Sequence, residues 1–162
     1  MAKKKKKNLG LIKYLPLALT IVAIALVLFL EAVKFTGVRT GYESAFTGLQ
    51  VLFGYTKEAG SVVTIKTEYL AFSIMALIAV LLPVIGSILQ LSKGKLFKLI
   101  GAVVCLAGTV LMFLIPNFVV FASAGMEALY SLLDAGLGIG AILGGIASGL
   151  ATCAIGYQLI KK

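Results

Sequence analysis

"GLGIGAILGGIASGLATCAIG", residues 136–156, carries seven of the chain's eighteen glycines within twenty-one positions. Glycine is a poor helix former in water, costing up to about 1 kcal/mol against alanine. Yet no proline, charge or polar run interrupts the stretch, which has the length of a membrane span. Written at every fourth position, it resolves into two rows of small residues. Gly136, Gly140, Gly144, Ser148, Thr152 and Gly156 form one; Ala141, Gly145, Gly149 and Cys153 form the next. Leu137, Ile139, Ile142, Leu143, Ile146 and Leu150 fill much of the remaining surface. In hydrocarbon a backbone must hydrogen-bond to itself, so such a helix persists. Its small rows let another helix approach closely and gain dispersion contact that lipid cannot match. The stretch predicts a membrane helix packed tightly against one or two neighbours. Such motifs serve packing within a chain and assembly between chains alike, and the intrachain use is the commoner expectation.

The rest of the chain points to the same solvent. Hydrophobic residues make up 60% of its 162 positions, and the mean hydropathy is +1.09. Four uncharged runs stand out, at 14–30, 69–92, 99–126 and 135–160. A bilayer core of roughly 30 Å takes about 20 helical residues, and all four runs are near or above that length. Pro116 and Asn117 interrupt the third, which is read as ending near 116. The expected fold is an all-α transmembrane four-helix bundle in one domain. Its spans are 14–33, 69–91, 99–116 and 135–160. A polybasic tail at 1–13 and a loop at 92–98 lie inside; loops at 34–68 and 117–134 lie outside.

Charge sets the orientation. Lys3–Lys7, Lys13, Lys93, Lys95, Lys98, Lys161 and Lys162 put eleven basic residues and no acid on one side. The other side has four basic residues and all six acids. The positive-inside rule places both termini in the cytoplasm of a multi-pass plasma-membrane protein. The first run is long for a signal peptide, and no small-x-small cleavage site precedes "LFLEAVKF", so an uncleaved span is expected. The run Lys3, Lys4, Lys5, Lys6, Lys7 reads as a solvated topogenic tail. It also suits anionic headgroups of the inner leaflet, at about 1 kcal/mol per residue. No folded basic module surrounds it, which excludes nucleic acid.

The outer segments carry further signals. Leu49, Val51, Phe53 and Tyr55 alternate, as do Val63, Ile65, Thr67 and Tyr69, with "TKEAG" as the connection. A third strand is suggested by Val33 and Phe35 in "VKFTGVRTG". These predict a small extracellular antiparallel β-element between the first two spans. In the second outer segment Met126, Leu129, Tyr130 and Leu133 fall at helical spacing. That segment is either a short surface helix or an extension of the fourth span.

Span three also has small residues, Gly101, Cys105 and Gly108 among them. Cys105 and Cys153 each lie roughly 11–12 Å inside the inner boundary, at about 1.5 Å per residue. Spans three and four are therefore expected to pair antiparallel through these residues.

Little points to chemistry. There is no histidine, the commonest general base. No span carries a central charge of the kind that proton relays and ion-coupled transport use. "GLGIG" follows no strand and is no dinucleotide fingerprint. The cysteines have no companions at metal-ligand spacing. No enzyme activity, cofactor or metal is expected. The lysine-rich, tryptophan-free composition is bacterial in style.

Two resemblances follow from these features. The glycine row looks like a helix of rotary ATPase proteolipids, but those need a mid-membrane carboxylate, which is absent here. The overall plan of four spans, cytoplasmic termini and a strand-bearing first outer loop resembles the claudin-like tetraspans. Their Trp–GLW–Cys–Cys signature is missing: the loop has Gly48-Leu49-Gln50, no tryptophan and no cysteine. What that resemblance implies is lateral assembly and extracellular contact. The expected role is non-enzymatic, a structural or interaction protein that associates through its fourth helix. Partners would be membrane lipids, further copies of the chain or another membrane protein. The alternative is a small oligomeric channel or transporter subunit. A pore needs a wettable stripe, for which Ser148, Thr152, Ser73 and Ser87 are the candidates.

Overall fold

The computed structural model describes the backbone of residues 2–37, 41–59, 64–92 and 94–160, with side chains from 13 onward except 59. In chain order the elements are α1 (Ala2–Phe29), β1 (Glu31–Thr36), β2 (Glu43–Thr47), α2 (Gly48–Phe53), β3 (Tyr55–Ala59) and β4 (Ile65–Leu70). They continue with α3 (Ile74–Leu89), α4 (Lys95–Phe113), a 3-10 turn (Ile115–Phe118), α5 (Ala124–Tyr130), β5 (Asp134–Leu137) and α6 (Ile139–Ile160).

This is a mixed α and β fold, which overturns the all-α expectation. Among the described residues, five strands form two sheets. One has the order β2-β1-β5, and the other is the β3-β4 hairpin. The suggested third strand is the centre of the larger sheet. β1 pairs antiparallel with β2, Phe35 opposite Ser44, and with β5, Phe35 opposite Ala135. Residues 134–137 thus belong to a strand and not to a helix, and α6 begins only at Ile139.

The expected strand at 49–55 is also corrected: α2 occupies Gly48–Phe53. Thr47 accepts a hydrogen bond from the Gln50 amide, and the Gln50 side chain accepts one from the Thr47 amide at 2.9 Å. Such a capping box satisfies two donors at the helix start and outweighs the alternation. Gly54 ends the helix at φ +91°, where a Cβ would meet the Leu70 carbonyl at 2.8 Å. The "TKEAG" connection is mostly strand β3, and its Gly60 lies outside the described residues, as does Val63 at the start of the second alternating strand.

The four-span reading is corrected too. Among the described residues only α4 and α6 are long and apolar enough to cross a membrane. The apolar stretch Lys13–Phe29 of α1 and the 16-residue α3 fall short. The apolar runs are longer than the helices because strands claim their ends. β1 takes over from α1 at Glu31, and β4 claims Tyr69 and Leu70 from the second run. Ser73 then caps α3, its hydroxyl accepting from the Ala76 amide. α4 ends before Pro116, as the interruption implies.

The long helices pack as α1 on α6, α6 on α4 and α4 on α3, with α1 also touching α3. The strand-bearing end has its own core. Phe35, Phe46, Tyr55, Tyr69, Phe121 and Tyr130 form a chain of ring contacts with centroids 4.9–6.0 Å apart. This cluster joins β1, β2, β3, β4 and α5. Tyr130 is 2% exposed, and its hydroxyl lies 3.4 Å from that of Ser44. Burial pushes its phenol above the usual range against the opposing Ser44 hydrogen bond, with Tyr42 and Tyr69 adding to the rise.

Candidate functional site

The glycine-rich helix makes two interfaces. The first row lies on α1. A Cβ at Gly140 would stand 2.7 Å from the Leu26 carbonyl oxygen, and one at Gly144 would stand 2.9 Å from that of Ala23. Gly138, outside both sequence rows, extends this contact beyond the helix, where any side chain would run into the Glu31 carbonyl. The α1 backbone therefore lies directly on the glycine row, and the sheet continues the same pairing, Val33 opposite Leu137. Gly136 sits in β5, with Lys34 O at 3.7 Å from its Cβ position. Gly156 has nothing within 4 Å and takes no part.

The adjacent row meets α4. A Cβ at Gly145 would stand 2.6 Å from the Phe113 ring, and one at Gly149 would be at ordinary contact distance from the Thr109 methyl, 3.7 Å. Ser148 of the first row also turns to α4: its hydroxyl and that of Thr109 hydrogen-bond at 2.7 Å, fully removed from the surface on the Ser148 side. Thr109 also lies 2.9 Å from the Cys105 carbonyl, and the Cys105 thiol points to the Ser148 carbonyl at 3.9 Å. Thr152 donates to the same carbonyl. The helices run antiparallel, with Phe113 by Gly145 and Cys105 by Ser148. Cys153 is exposed and Cys105 buried, so the two thiols are not brought together.

Gly101 and Gly108 serve a different neighbour from the one expected. Both lie on α3: Gly108 against the Pro83 ring, and Gly101 against the Gly86 carbonyl, 2.6 Å from its Cβ position. A Cβ at Gly86 would in turn stand 2.6 Å from the Cys105 amide nitrogen. The close α3–α4 approach thus uses glycines from both sides.

The α1–α3 contact rests on polar rungs. Thr20 and Ser87, both fully buried, hydrogen-bond at 3.0 Å. Gln90, also fully buried, donates from Nε2 to the Lys13 carbonyl at 2.9 Å, while its Oε1 has no partner among the described residues. Periodicity alone could not find Gln90, because it sits just past the end of α3. Its polarity at the end of an apolar run was the available signal.

Every hydroxyl named as a pore candidate is committed internally. Ser148 bonds Thr109, Thr152 bonds the Ser148 carbonyl, and Ser87 bonds Thr20 and the Val84 carbonyl. Ser73 caps α3 and donates to the Phe118 carbonyl.

Outside these contacts the surface is apolar. Ile142, Leu143, Ile146, Leu150 and Tyr157 are exposed on α6, and Leu99, Val103, Leu106 and Val110 on α4. The buried residues of the same helices are mostly Gly, Ala, Ser, Thr and Cys. Charge is segregated along the bundle. Lys13, Lys95 and Lys98 sit at one end, while Glu31, Glu43, Glu58, Glu68, Glu127 and Asp134 all sit at the strand-bearing end. The backbone of α1 runs through Lys3–Lys7, whose side chains, like all of Lys93, Lys161 and Lys162, lie outside the described residues. Two ion pairs on the sheets are exposed, Lys34–Glu43 and Lys66–Glu58, and contribute little. Among the described residues no group of three His, Cys, Asp or Glu could hold a metal ion. No protein-family model matches this chain, and no curated protein or solved structure shows significant similarity to it.

Proposed function

We propose that this chain is a non-enzymatic plasma-membrane protein with a structural or interaction role. The α4–α6 hairpin anchors it, the strand-bearing end faces outward, and the basic end meets anionic headgroups of the cytoplasmic leaflet. One observation carries the reading: the reversal of side-chain size on α4 and α6. In water large apolar residues go inside. Here the small and hydroxyl residues are inside and Ile, Leu and Val are outside, the arrangement that suits an apolar solvent. The committed hydroxyls favour this role over a channel subunit, since among the described residues they leave no unpaired polar stripe for water. The glycine rows act within the chain, so contacts with partners fall to the outward end.

Extraction of membranes with alkaline carbonate tests the anchoring, and the protein is expected in the pellet; release to the supernatant would reject it. The subunit count in lipid nanodiscs, by native mass spectrometry, tests the choice of role. A monomer or dimer is expected. A single closed ring of four or more subunits would overturn it in favour of the channel.

A further inference from the structure

Strand β2 runs back toward α1: Glu43 at its start opposes Thr36, and Thr47 at its end opposes Glu31. The chain then continues past Glu31, and α2 begins alongside the last turn of α1. A Cβ at Gly48 would run into the Val27 carbonyl and stand 3.1 Å from the Leu28 Cα. Val27 lies four residues before Glu31, the first charged residue after Lys13, or about 6 Å along the helix axis. Further on, the Leu52 carbonyl accepts a hydrogen bond from the amide of Ser73, the cap of α3, at 3.1 Å. The start of α2 is therefore level with the uncharged run of α1 and not with the sheet. Gly48, Val51 and Leu52 are buried, and α2 touches α1, α3, β1 and β2. Leu49 and Phe53, four apart and so on one face, are 37% and 63% exposed. No charged residue occurs from 44 to 56. Phe29, two residues past Val27, and Phe72, next to Ser73, are exposed as well. Exposed apolar side chains thus lie on α2 and on both chain segments that it joins.

We infer that α2 is seated in the outer leaflet, with Leu49 and Phe53 among the acyl chains just below the headgroups, so that this helix holds the strand-bearing end down on the membrane. The inference rests on the membrane reading above. The occupant of the exposed face is lipid, because α1 sets the depth: the solvent that meets Phe29 also meets the helix packed beside it. An interfacial helix buries its apolar face roughly 5–10 Å into the boundary between headgroups and acyl chains, and the offset of Gly48 from the level of Glu31 matches that depth. A covering protein would give no reason for the chain to pass Glu31 before the helix starts, or for the stretch that carries it to be free of charge.

The chain has no tryptophan, so Leu49→Trp and Phe53→Trp each create a single fluorescent reporter on α2. Leu150→Trp, at an exposed position of α6, reports on the span itself. Each full-length variant is reconstituted into phosphatidylcholine vesicles without bromine, with bromine on the acyl chain near the headgroup, or with bromine near the chain end. Acrylamide quenches from the water, and circular dichroism checks the fold, so that misfolding of one α2 variant leaves the other to decide. Both α2 reporters are expected to emit to the blue, to lose roughly twofold or more of their emission to the shallow bromine and less to the deep one, and to resist acrylamide. Quenching by acrylamide and by neither brominated lipid would place α2 in water and overturn the inference. Blue emission that no quencher reaches would mean that protein covers the helix, and would overturn it equally. In either case a Leu150→Trp reporter quenched by brominated lipid leaves the membrane reading intact. A Leu150→Trp reporter that neither brominated lipid quenches would overturn the membrane reading itself.

Discussion

A methyl group added at Gly140 would stand 2.7 Å from a backbone oxygen, whereas one added at Gly156 would meet nothing within 4 Å. Two positions of one row therefore respond differently to the same substitution. We expect Gly140→Ala to cost about 1–3 kcal/mol by overpacking. Gly156→Ala should be neutral or gain up to about 1 kcal/mol from helix propensity. Unfolding in mild detergent measures both, and equal effects would mean that contact with α1 is not what the glycines serve. The thiols separate in the same way. In detergent a small maleimide should label exposed Cys153 quickly and buried Cys105 only after denaturation; equal labelling rates would contradict the packing. Spacing alone made the row legible, because small residues four apart must share a helix face. Its partner was not legible. Ala23, Leu26 and Val27 are ordinary apolar residues, and nothing local marks the backbone beneath them as the surface that α6 needs.

At the scale of elements, the α4–α6 interface combines glycine contact with one hydroxyl pair. A double-mutant cycle with Thr109→Val and Ser148→Ala should give a coupling of about 0.6–1.7 kcal/mol, the range for hydrogen bonds between membrane helices. A coupling near zero would show that close packing alone holds the pair. The aromatic cluster makes a second testable unit. A phenol raised in the fold keeps its proton there after the unfolded chain has lost it. Tyr130 thus contributes its full stability below the ordinary phenol value of 10.0 and loses it as pH rises through the raised value. Near-ultraviolet circular dichroism should show the strand-bearing end loosening above that pH, and Tyr130→Phe should flatten this part of the profile. An unchanged profile in the variant would clear Tyr130 of the effect. The strands were partly legible. β4 and β1 announced themselves by alternation, but Leu49, Val51 and Phe53 alternate as well and form a helix. The deciding signal was Thr47 with Gln50 three residues on, a local cue that periodicity hid. Nothing local marks Asp134–Leu137 as a strand; only its pairing with distant β1 makes it one.

For the whole molecule, composition and charge order carried the most information. Eleven lysines without an acid in one set of segments, and all six acids in the other, were readable because charge is written residue by residue. The number of membrane-length helices was not, because hydropathy marks apolar runs and cannot see where strands or caps cut them. The pairing that joins α1–β1 to β5–α6 has a consequence in time. Val33 and Leu137 are partners at opposite ends of the chain, so β1 gains its second neighbour only when translation is nearly done. Until then α1 lacks the glycine row that fits it, and β1 shows a bare edge open to foreign strands. A stalled ribosome would hold the protein in that state. The last helix is thus the closing clasp, and the interval before it arrives is when a nascent chain most needs a chaperone.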